Sequence, residues 1–269
     1  MGKLLNTKQI EFFNNNGFIF PLKIMSSEMT HKYRKKLEIY ENSKGHTLSG
    51  IDRHKSHLLF HWVYEIVTNQ NILDAIEDLL GENILCWSSN FFIKEPNDNT
   101  YVTWHQDSEY WGLEPDDVIT AWIALSDANI NTGPMEVIPK SHRWKNQIHE
   151  ETFQKNNLLS RGQKIKNIPN SDKAVAMPLN AGEISLHHVK LAHSSKINKT
   201  SDRRIGLAIR YTSTAVKQKN SSKDSALLVR GKDNFLNFIH EVPPKNDNDI
   251  KATKNHKIAS ELHTKILMK

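Results

Sequence analysis

The chain changes its hydrophobic pattern near residue 83, and this change limits the folds that it can adopt. Before that point the spacing of apolar residues predicts a brief strand at 18–21 among helices at 7–13, 27–41, 58–67 and 72–80. After it, short β-prone runs predict strands at 84–94, 118–125, 135–138, 174–177, 183–188 and 204–211. Helices followed by many strands argue against a regularly alternating, doubly wound sheet. We therefore expect a mainly β protein with flanking helices, built on a double-stranded β-helix, which is a cupin-like jelly roll.

The length of 269 residues suits a single β domain, so one domain is expected over residues 1–269. The change of pattern divides this domain into three parts. The N-terminal part, 1–82, is predicted to be helical and to pack on one sheet. The jelly-roll core, 83–213, contains a polar insertion at 141–173 that is long enough to act as a lid or loop. A C-terminal extension, 214–269, follows the core.

Local signals mark the ends of some elements and the character of the extension. Thr7 is the predicted N-cap of the first helix, and Asn71 is the predicted cap of the helix at 72–80. In the extension, 214–231 is a second polar excursion, and a helix is predicted at 246–269. The apolar stripe of that helix is predicted to consist of Ile258, Leu262, Ile266 and Leu267.

Charge and cysteine content limit the binding partners and the cellular compartment that we expect for this protein. The net charge of +6 comes from 36 Lys and Arg against 30 Asp and Glu. The lysines are scattered, whereas a basic nucleic-acid-binding protein would cluster its charge among aromatic side chains. We therefore expect a solvated surface and no nucleic-acid partner. No run is long enough to cross a membrane, no secretory signal is evident, and Cys86 is the single cysteine, so a cytoplasmic protein without a membrane partner is expected. The oligomeric state does not follow from the sequence.

Several predicted strands have two different faces. In 204–211 one face is apolar and consists of Ile205, Leu207, Ile209 and Tyr211. The other face is small in the middle and carries Arg204 and Arg210 at its ends, which suits a cavity that holds an anion. Trp122 and Asn90 lie on similar mixed faces of two other strands, as expected if these strands line the mouth of a barrel. A sheet that faces solvent fits each strand, taken alone, equally well.

A histidine and a carboxylate in the middle of the chain can bind one metal ion. His105 and Asp107 are two residues apart, so in an extended strand both side chains point to the same side. A third ligand is needed, and His187, His188 and His193 are the candidates. A facial set of two histidines and a carboxylate is the arrangement of non-haem Fe(II) oxygenases. A His-x-Asp pair alone is weak evidence, because it often occurs by chance.

The order and spacing of several short segments are more specific. They are Trp104-His105-Gln106-Asp107, Pro139-Lys140-Ser141-His142, Gly182-Glu183 through His187-His188, His193-Ser194-Ser195, and Arg204. From about Phe12 to Tyr211 the chain resembles the phytanoyl-CoA dioxygenase family of Fe(II)- and 2-oxoglutarate-dependent oxygenases, and it looks closest to a bacterial small-molecule branch related to chlorinating enzymes. Lys140 replaces a usual glycine and Glu183 a commoner aspartate; both are changes in turns.

The resemblance implies a role for individual residues. His105, Asp107 and His193 would be the catalytic iron ligands, and Arg204 would grip the distal carboxylate of 2-oxoglutarate, which a planar guanidinium can bind through two hydrogen bonds. Ser195 would share that carboxylate. Further contacts in the cosubstrate pocket would come from Trp122, Asn90 and Lys94. The implied cofactors are Fe(II), 2-oxoglutarate as cosubstrate, and O2.

The resemblance also implies a reaction. Related halogenases have a small residue where this chain has Asp107, so hydroxylation is expected instead, with release of succinate and CO2. The expected substrate is a small polar metabolite such as an amino acid, an amino-phosphonate or a natural-product intermediate. Candidate pocket walls are Tyr101, Trp104, Tyr110 and Trp111, and candidate contacts to a cationic amine are Glu109, Asp116 and Asp117.

Two other classes of function use fewer of these features. A zinc hydrolase could employ His105, Asp107 and His193 with a metal-bound water, but it has no need for Arg204 at a fixed offset. A ligand-binding jelly roll without a metal would not require all three ligands.

Overall fold

A computed structural model describes residues 2–221, 223–247 and 249–268. Within these residues the α-helices are α1 Thr7–Asn16, α2 Ser27–Lys44, α3 His61–Val67, α4 Gln70–Leu80, α5 Ser108–Trp111 and α6 Ile250–Leu267. The strands are β1 Phe18–Lys23, β2 Ile84–Lys94, β3 Val102–His105, β4 Leu113–Glu114, β5 Val118–Ala124, β6 Met135–Val137, β7 His149–Glu150, β8 Lys164–Ile165, β9 Val175–Met177, β10 Glu183–His188, β11 His193–Ser195, β12 Arg204–Ser213, β13 Lys217–Gln218, β14 Ser225–Arg230 and β15 Ile239–His240.

Most strands belong to a major or a minor sheet, while β13 with β4 and β7 with β8 form two-stranded sheets. The major sheet has the order β1-β10-β5-β12-β2-β14-β15, and all its pairs are antiparallel except β14 with β15. The minor sheet has the order β3-β11-β6-β9. A buried cluster joins Trp122 and Ala208 of the major sheet to Met135, Val137 and Met177 of the minor sheet. This is the jelly roll expected from the sequence, with a core between two facing sheets.

The N-terminal helices cover the outer face of the major sheet. The largest buried cluster joins apolar side chains of α1 to α4 to those of β5, β10 and β12. Trp62 of α3 packs against Phe91 of β2, and the Tyr211 hydroxyl donates a hydrogen bond of 2.9 Å to the carbonyl oxygen of Val67. The apolar face predicted for 204–211 lies in this cluster, which confirms the alternation read from the sequence.

Two predicted helix caps were wrong by one or two residues. The N-cap of α1 is Asn6, whose side chain accepts from the Gln9 backbone while the Gln9 side chain accepts from the Asn6 backbone. This reciprocal capping box places Thr7 inside the helix. The N-cap of α4 is Asn69, which accepts from two backbone N–H groups of the first turn, so Asn71 is also helical.

The extension differs from its prediction in two places. The polar excursion at 214–231 contains β14, which pairs with β2 and extends the major sheet. The helix is found at Ile250–Leu267, and residues 222, 248 and 269 of the predicted segments lie outside the described part of the chain. Its buried face consists of Ala252, His256, Ala259, Ser260, His263 and Ile266. Ile258 is exposed, so the predicted apolar stripe was wrong in part.

Within the described ranges, no helix combines the length and the apolar character that crossing a bilayer would require. The division of the chain into three parts of one domain stays a prediction.

Candidate metal and cosubstrate site

The two histidines of the candidate metal site come from neighbouring strands of the minor sheet. His105 of β3 is the direct partner of His193 of β11 in the antiparallel ladder, so both side chains leave the same face. Their ring centroids are 4.1 Å apart, and both side chains are buried. Cross-strand pairing therefore brings together two residues that are far apart in sequence.

Asp107 completes the group, although it does not lie in the strand. β3 ends at His105, and Asp107 has a right-handed helical backbone at the start of α5. The assumed same-face alternation was therefore wrong for this residue, yet the turn carries its carboxylate to the imidazoles. Oδ1 lies 3.3 Å from Nε2 of His105, and Oδ2 lies 3.9 Å from Nε2 of His193. One ligand atom from each residue lies within 4.8 Å of the other two.

Hydrogen bonds fix the orientation of both imidazoles. Nδ1 of His105 lies 2.9 Å from the carbonyl oxygen of Thr103, and Nδ1 of His193 lies 2.9 Å from that of Leu191. A carbonyl only accepts, so each Nδ1 carries a proton. In the neutral imidazole the lone pair is then on Nε2, the atom that faces the carboxylate. Such support of the non-ligating nitrogen is typical of metal-binding histidines.

The electrostatics of the triad favour a cation. Burial would raise the pKa of Asp107, but the His193 and His105 imidazoles and the Arg210 guanidinium hold that pKa below its ordinary value. Burial, followed by the neighbouring His105, lowers the pKa of His193 to about 4. A carboxylate and a neutral imidazole near pH 7 are the protonation states that a divalent metal ion requires.

Gln106 fastens this turn from the opposite side. Its side chain is fully buried, and its amide nitrogen donates 2.8 Å to the carbonyl oxygen of Lys190, just before β11. Its amide oxygen accepts from the backbone of Gln147, and its own backbone N–H donates to Nε2 of His149. The residue between the two candidate ligands therefore ties β3 to the approach to β11 and to the insertion.

Arg204 and Trp122 form a second group, which lines the same cavity as the metal-binding triad. The guanidinium of Arg204 lies over the Trp122 ring, 5.3 Å from its centroid, and Nη1 donates 2.7 Å to the carbonyl oxygen of Gly133. Nε is buried without a hydrogen-bond partner. No carboxylate in the described part of the chain lies within ion-pair distance, and burial lowers the pKa of Arg204 to about 9. A buried guanidinium with free donors suits a carboxylate ligand.

Lys94 contacts Ser195 and the same Gly133 carbonyl oxygen that Arg204 contacts. It is fully buried, and its ammonium lies 2.8 Å from Oγ of Ser195, with further contacts to the carbonyl oxygens of Gly133 and Lys196. Burial and the nearby Arg204 lower the pKa of Lys94 to about 6. Ser195 lines the cavity, whereas Lys94 does not, so Lys94 positions the hydroxyl and the loop around Gly133.

Both groups line one cavity of about 200 Å³. Asn90 lies in its wall, and its amide nitrogen is 2.7 Å from Nδ1 of His54, while its amide oxygen has no partner. Asn90, Ala208 and Trp122 stand side by side on three adjacent strands, in the register that strand alternation predicts. Of the eight predicted site residues, all but Lys94 line this cavity.

The cavity also contains residues that sequence reasoning missed. They include Arg53, His54, Trp87, Leu158, Leu159, Ser160, Gln163, His263 and Leu267. Alternation along β12 places Arg210 on the same face as Arg204, and both residues line the cavity. Nothing in the sequence linked 158–163 or the end of α6 to the site, because tertiary packing alone brings them there.

Two sets of pocket predictions had mixed outcomes. Tyr110 and Trp111 line the cavity, whereas Tyr101 and Trp104 do not. None of the three candidate acidic contacts lines it, and Asp116 instead pairs with Lys190. Asp107 is the one carboxylate in the cavity lining formed by the described residues.

Comparison with known proteins assigns the chain to a family. The family model for phytanoyl-CoA dioxygenase (PhyH) matches residues 14–206, which is most of the chain. A probable alpha-ketoglutarate-dependent hypophosphite dioxygenase from Stutzerimonas stutzeri is 28% identical over 212 residues, covering 76% of this chain and 73% of that protein.

Solved structures agree in fold. The apo form of ThoJ, a non-heme monooxygenase, is 31% identical, with a TM-score of 0.86 over 96% of this chain and 97% of that one. CytC3 with Fe(II) and alpha-ketoglutarate is 22% identical, with a TM-score of 0.65 over 88% and 93%, a likeness of fold. The zinc hydrolase and the metal-free binding protein are therefore set aside. The chain belongs to the phytanoyl-CoA dioxygenase (PhyH) family of iron(II)- and 2-oxoglutarate-dependent dioxygenases.

Proposed function

We propose that the chain hydroxylates a small polar metabolite, with His105, Asp107 and His193 as ligands of Fe(II) and Arg204 as the residue that binds the distal carboxylate of 2-oxoglutarate. One observation carries this proposal. A triad with two free imidazole lone pairs and an ionised carboxylate shares a cavity with a buried guanidinium that has no carboxylate partner among the described residues. When bound, iron and 2-oxoglutarate supply oxidation of a substrate C–H bond by O2, with release of succinate and CO2.

The residues of the chain have separate tasks in this reaction. His105 and His193 offer Nε2 because backbone carbonyls hold the proton on Nδ1. The low pKa of Asp107 keeps its oxygens available at neutral pH. Arg204 orients the cosubstrate by charge-assisted hydrogen bonds, and the Trp122 ring shields those bonds from water. Ser195, held by Lys94, supplies a hydroxyl beside them.

Two features favour hydroxylation of a small substrate. The resemblance described above implies that Asp107 stands where related halogenases have a small residue, which supports hydroxylation over halogenation. The cavity of about 200 Å³ suits a small molecule, and the name of the Stutzerimonas stutzeri relative, a probable hypophosphite dioxygenase, specifies a small polar substrate. Amino acids, amino-phosphonates and natural-product intermediates remain the proposed classes.

Anaerobic titration tests the site. Fe(II) and 2-oxoglutarate added together to the wild type should give a weak visible charge-transfer band, which His193→Ala should abolish because one iron ligand is lost. His46→Ala, at an exposed histidine, is the matched control and should keep the band. Arg204→Gln should retain iron but weaken 2-oxoglutarate by about 10- to 100-fold, the range expected for one charged hydrogen-bonding partner.

The proposal fails if iron-loaded wild type gives no band, or if His193→Ala retains it. Equal loss of iron and 2-oxoglutarate in Arg204→Gln would contradict the role of that residue. A metabolite screen that measures substrate-dependent succinate formation then identifies the substrate.

A further inference from the structure

The cavity contains a second cationic group that the proposed binding of 2-oxoglutarate does not use. Arg210 lies six residues after Arg204 on the same face of β12, which places the two side chains roughly 20 Å apart along the strand. Arg210 interacts electrostatically with Asp107 and His193, so it stands on the side of the cavity next to the triad. It is 7% exposed.

The guanidinium of Arg210 lacks acceptors. Its Nε has no hydrogen-bond partner, and Nη1 makes one long contact of 3.4 Å with the carbonyl oxygen of Ala208. The guanidinium lies 5.6 Å from the centroid of the Phe92 ring and 5.2 Å from that of Trp111. Aromatic faces attract the charge but leave most of the five N–H donors unsatisfied. A buried guanidinium in this state calls for an acceptor that comes from outside the chain.

Other buried and half-buried arginines make the contrast clear. Arg34, Arg161, Arg203 and Arg230 each pair with at least one carboxylate. Among the residues that the structure describes, the arginines in the cavity wall have no such partner.

Arg53 adds a second free cation at the same end of the cavity. It is partly buried and lines the cavity, and its side chain makes no hydrogen bond or ion pair with any residue in the described ranges. Burial, with the charges of Arg53 and Arg210, lowers the pKa of the neighbouring His54 to about 4. Two guanidinium groups therefore act on one stretch of wall without a carboxylate to balance them.

Charge balance identifies what the proposed complex lacks. Iron(II), the Asp107 carboxylate, the 2-oxoglutarate dianion and the Arg204 guanidinium compensate one another. The charges of Arg210 and Arg53 remain. We infer that Arg210, assisted by Arg53, binds an anionic group of the substrate, a carboxylate or a phosphonate, and so positions that substrate beside the metal. This inference rests on the proposed function, because it assigns 2-oxoglutarate to Arg204.

The experiment compares an anion with its uncharged counterpart. The protein is loaded with Ni(II), which allows titration in air without turnover, and saturated with 2-oxoglutarate. Butanoate, propylphosphonate and butanamide are then titrated by calorimetry. The wild type should prefer at least one anion over the amide by about tenfold or more, the difference expected for a charged hydrogen-bonding partner. The carboxylate and phosphonate arms identify which acid the site takes.

Variants locate the preference. Arg210→Gln should abolish it, Arg210→Lys should keep part of it, and Arg53→Gln should reduce it. Arg143→Gln removes one positive charge from an exposed residue outside the cavity and should leave the preference unchanged. If Arg210→Gln does not fold, Arg210→Lys and Arg53→Gln still test the site. Each variant alters one of the two guanidinium groups and leaves at least one positive charge in the site.

Binding of 2-oxoglutarate is measured first for every protein. A wild type that fails to bind 2-oxoglutarate contradicts the proposed function. A wild type that binds it but shows no anion preference overturns this inference alone, as does a folded Arg210→Gln protein that keeps the full preference.

Discussion

Gly206 is a residue whose missing side chain makes room for the Trp122 ring under Arg204. It lies on the cavity face of β12, two residues after Arg204. A Cβ atom at this position would come within 2.0 Å of Cζ2 of Trp122. The indole is buried in the apolar cluster between the two sheets, so it cannot move away without leaving its place under the Arg204 guanidinium.

Gly206→Ala should therefore weaken 2-oxoglutarate by about tenfold or more and lower the free energy of unfolding by about 1–3 kcal/mol, the usual cost of overpacking. Titration of 2-oxoglutarate and chemical denaturation measure the two effects. The double variant Gly206→Ala/Trp122→Leu should recover stability without recovering affinity. Unchanged affinity and stability in Gly206→Ala would show that the indole is not constrained.

Alternation along strands is the reason that much of the candidate site could be predicted. It placed Arg204, Trp122 and Asn90 on cavity faces, and all three line the cavity. Alternation could not describe Asp107, because a strand end and a helical turn separate it from His105. Lys140 shows a different limit: its φ of 68° lies in the left-handed region, which glycine adopts most readily and which a lysine in the sequence does not indicate.

At the scale of elements, the insertion holds the end of α6 over the cavity. Arg161 donates through Nε to the carbonyl oxygen of Leu267 at 2.9 Å, with a second contact from Nη2, and pairs through Nη1 with Glu151. Leu267 and His263 of α6 line the cavity beside residues 158–160 of the insertion. The two segments therefore form one wall.

Arg161→Ala should loosen this wall, because the last turn of α6 loses its side-chain hydrogen bonds. Hydrogen–deuterium exchange should become faster in α6 and in the insertion, while iron binding stays unchanged. Glu151→Gln is the matched control, since it removes the ion pair but keeps the bonds to Leu267. Equal exchange in wild type and Arg161→Ala would mean that packing alone holds the helix.

Prediction of elements succeeded where the local pattern and the tertiary fold agree. The bounds of β2 and β10 match the predicted strands, whose residues are mostly buried. β14 was missed because polar residues surround it and its pairing with β2 and β15 leaves no local pattern. In α6 the buried face includes His256 and His263, which an apolar pattern cannot identify.

At the scale of the molecule, a buried ionic network joins the N-terminal part to the extension. The ammonium of Lys55 lies 2.6 Å from Oε1 of Glu241 and 2.8 Å from the carbonyl oxygens of Trp87 and Ser225. Nε2 of His57 lies 3.0 Å from the other carboxylate oxygen. Burial would raise the pKa of Glu241, but Lys55 and His57 lower it to about 2.

This network should make the fold sensitive to acid. The pKa of Glu241 is about 4.5 in the unfolded chain and about 2 in the folded one, so the stabilisation is complete above pH 4.5 and is lost as pH falls toward 2. The loss can reach about 3 kcal/mol, because each pKa unit corresponds to about 1.4 kcal/mol. Urea denaturation of wild type and Glu241→Gln across this range measures it.

Glu241→Gln should unfold more easily at pH 7 by about 3–5 kcal/mol, since Lys55 keeps a buried charge without its partner, and it should lack this part of the pH dependence. Lys55→Met/Glu241→Leu should recover much of the stability, because a well-packed apolar pair replaces the ionic one. A pH profile in Glu241→Gln identical to that of the wild type would assign the acid sensitivity to other groups.

The order of helices and strands was enough to predict the architecture of the molecule, because a chain of this pattern has few ways to bury its strands. The long-range connections were not predictable. Neither the Lys55–Glu241 pair nor the contact of α6 with the cavity leaves a local pattern, since each joins residues more than a hundred positions apart.

The wall made of the insertion and α6 has a consequence for how such enzymes diverge. The proposed iron ligands and Arg204 lie within residues 14–206, the range of the family model, whereas Arg210 and α6 come after it. Mutations in 158–163 or in α6 would alter the substrate side and leave the strands that hold the ligands intact. We therefore expect natural variants and directed-evolution libraries mutated in these two segments to change substrate preference while keeping the metal and cosubstrate sites.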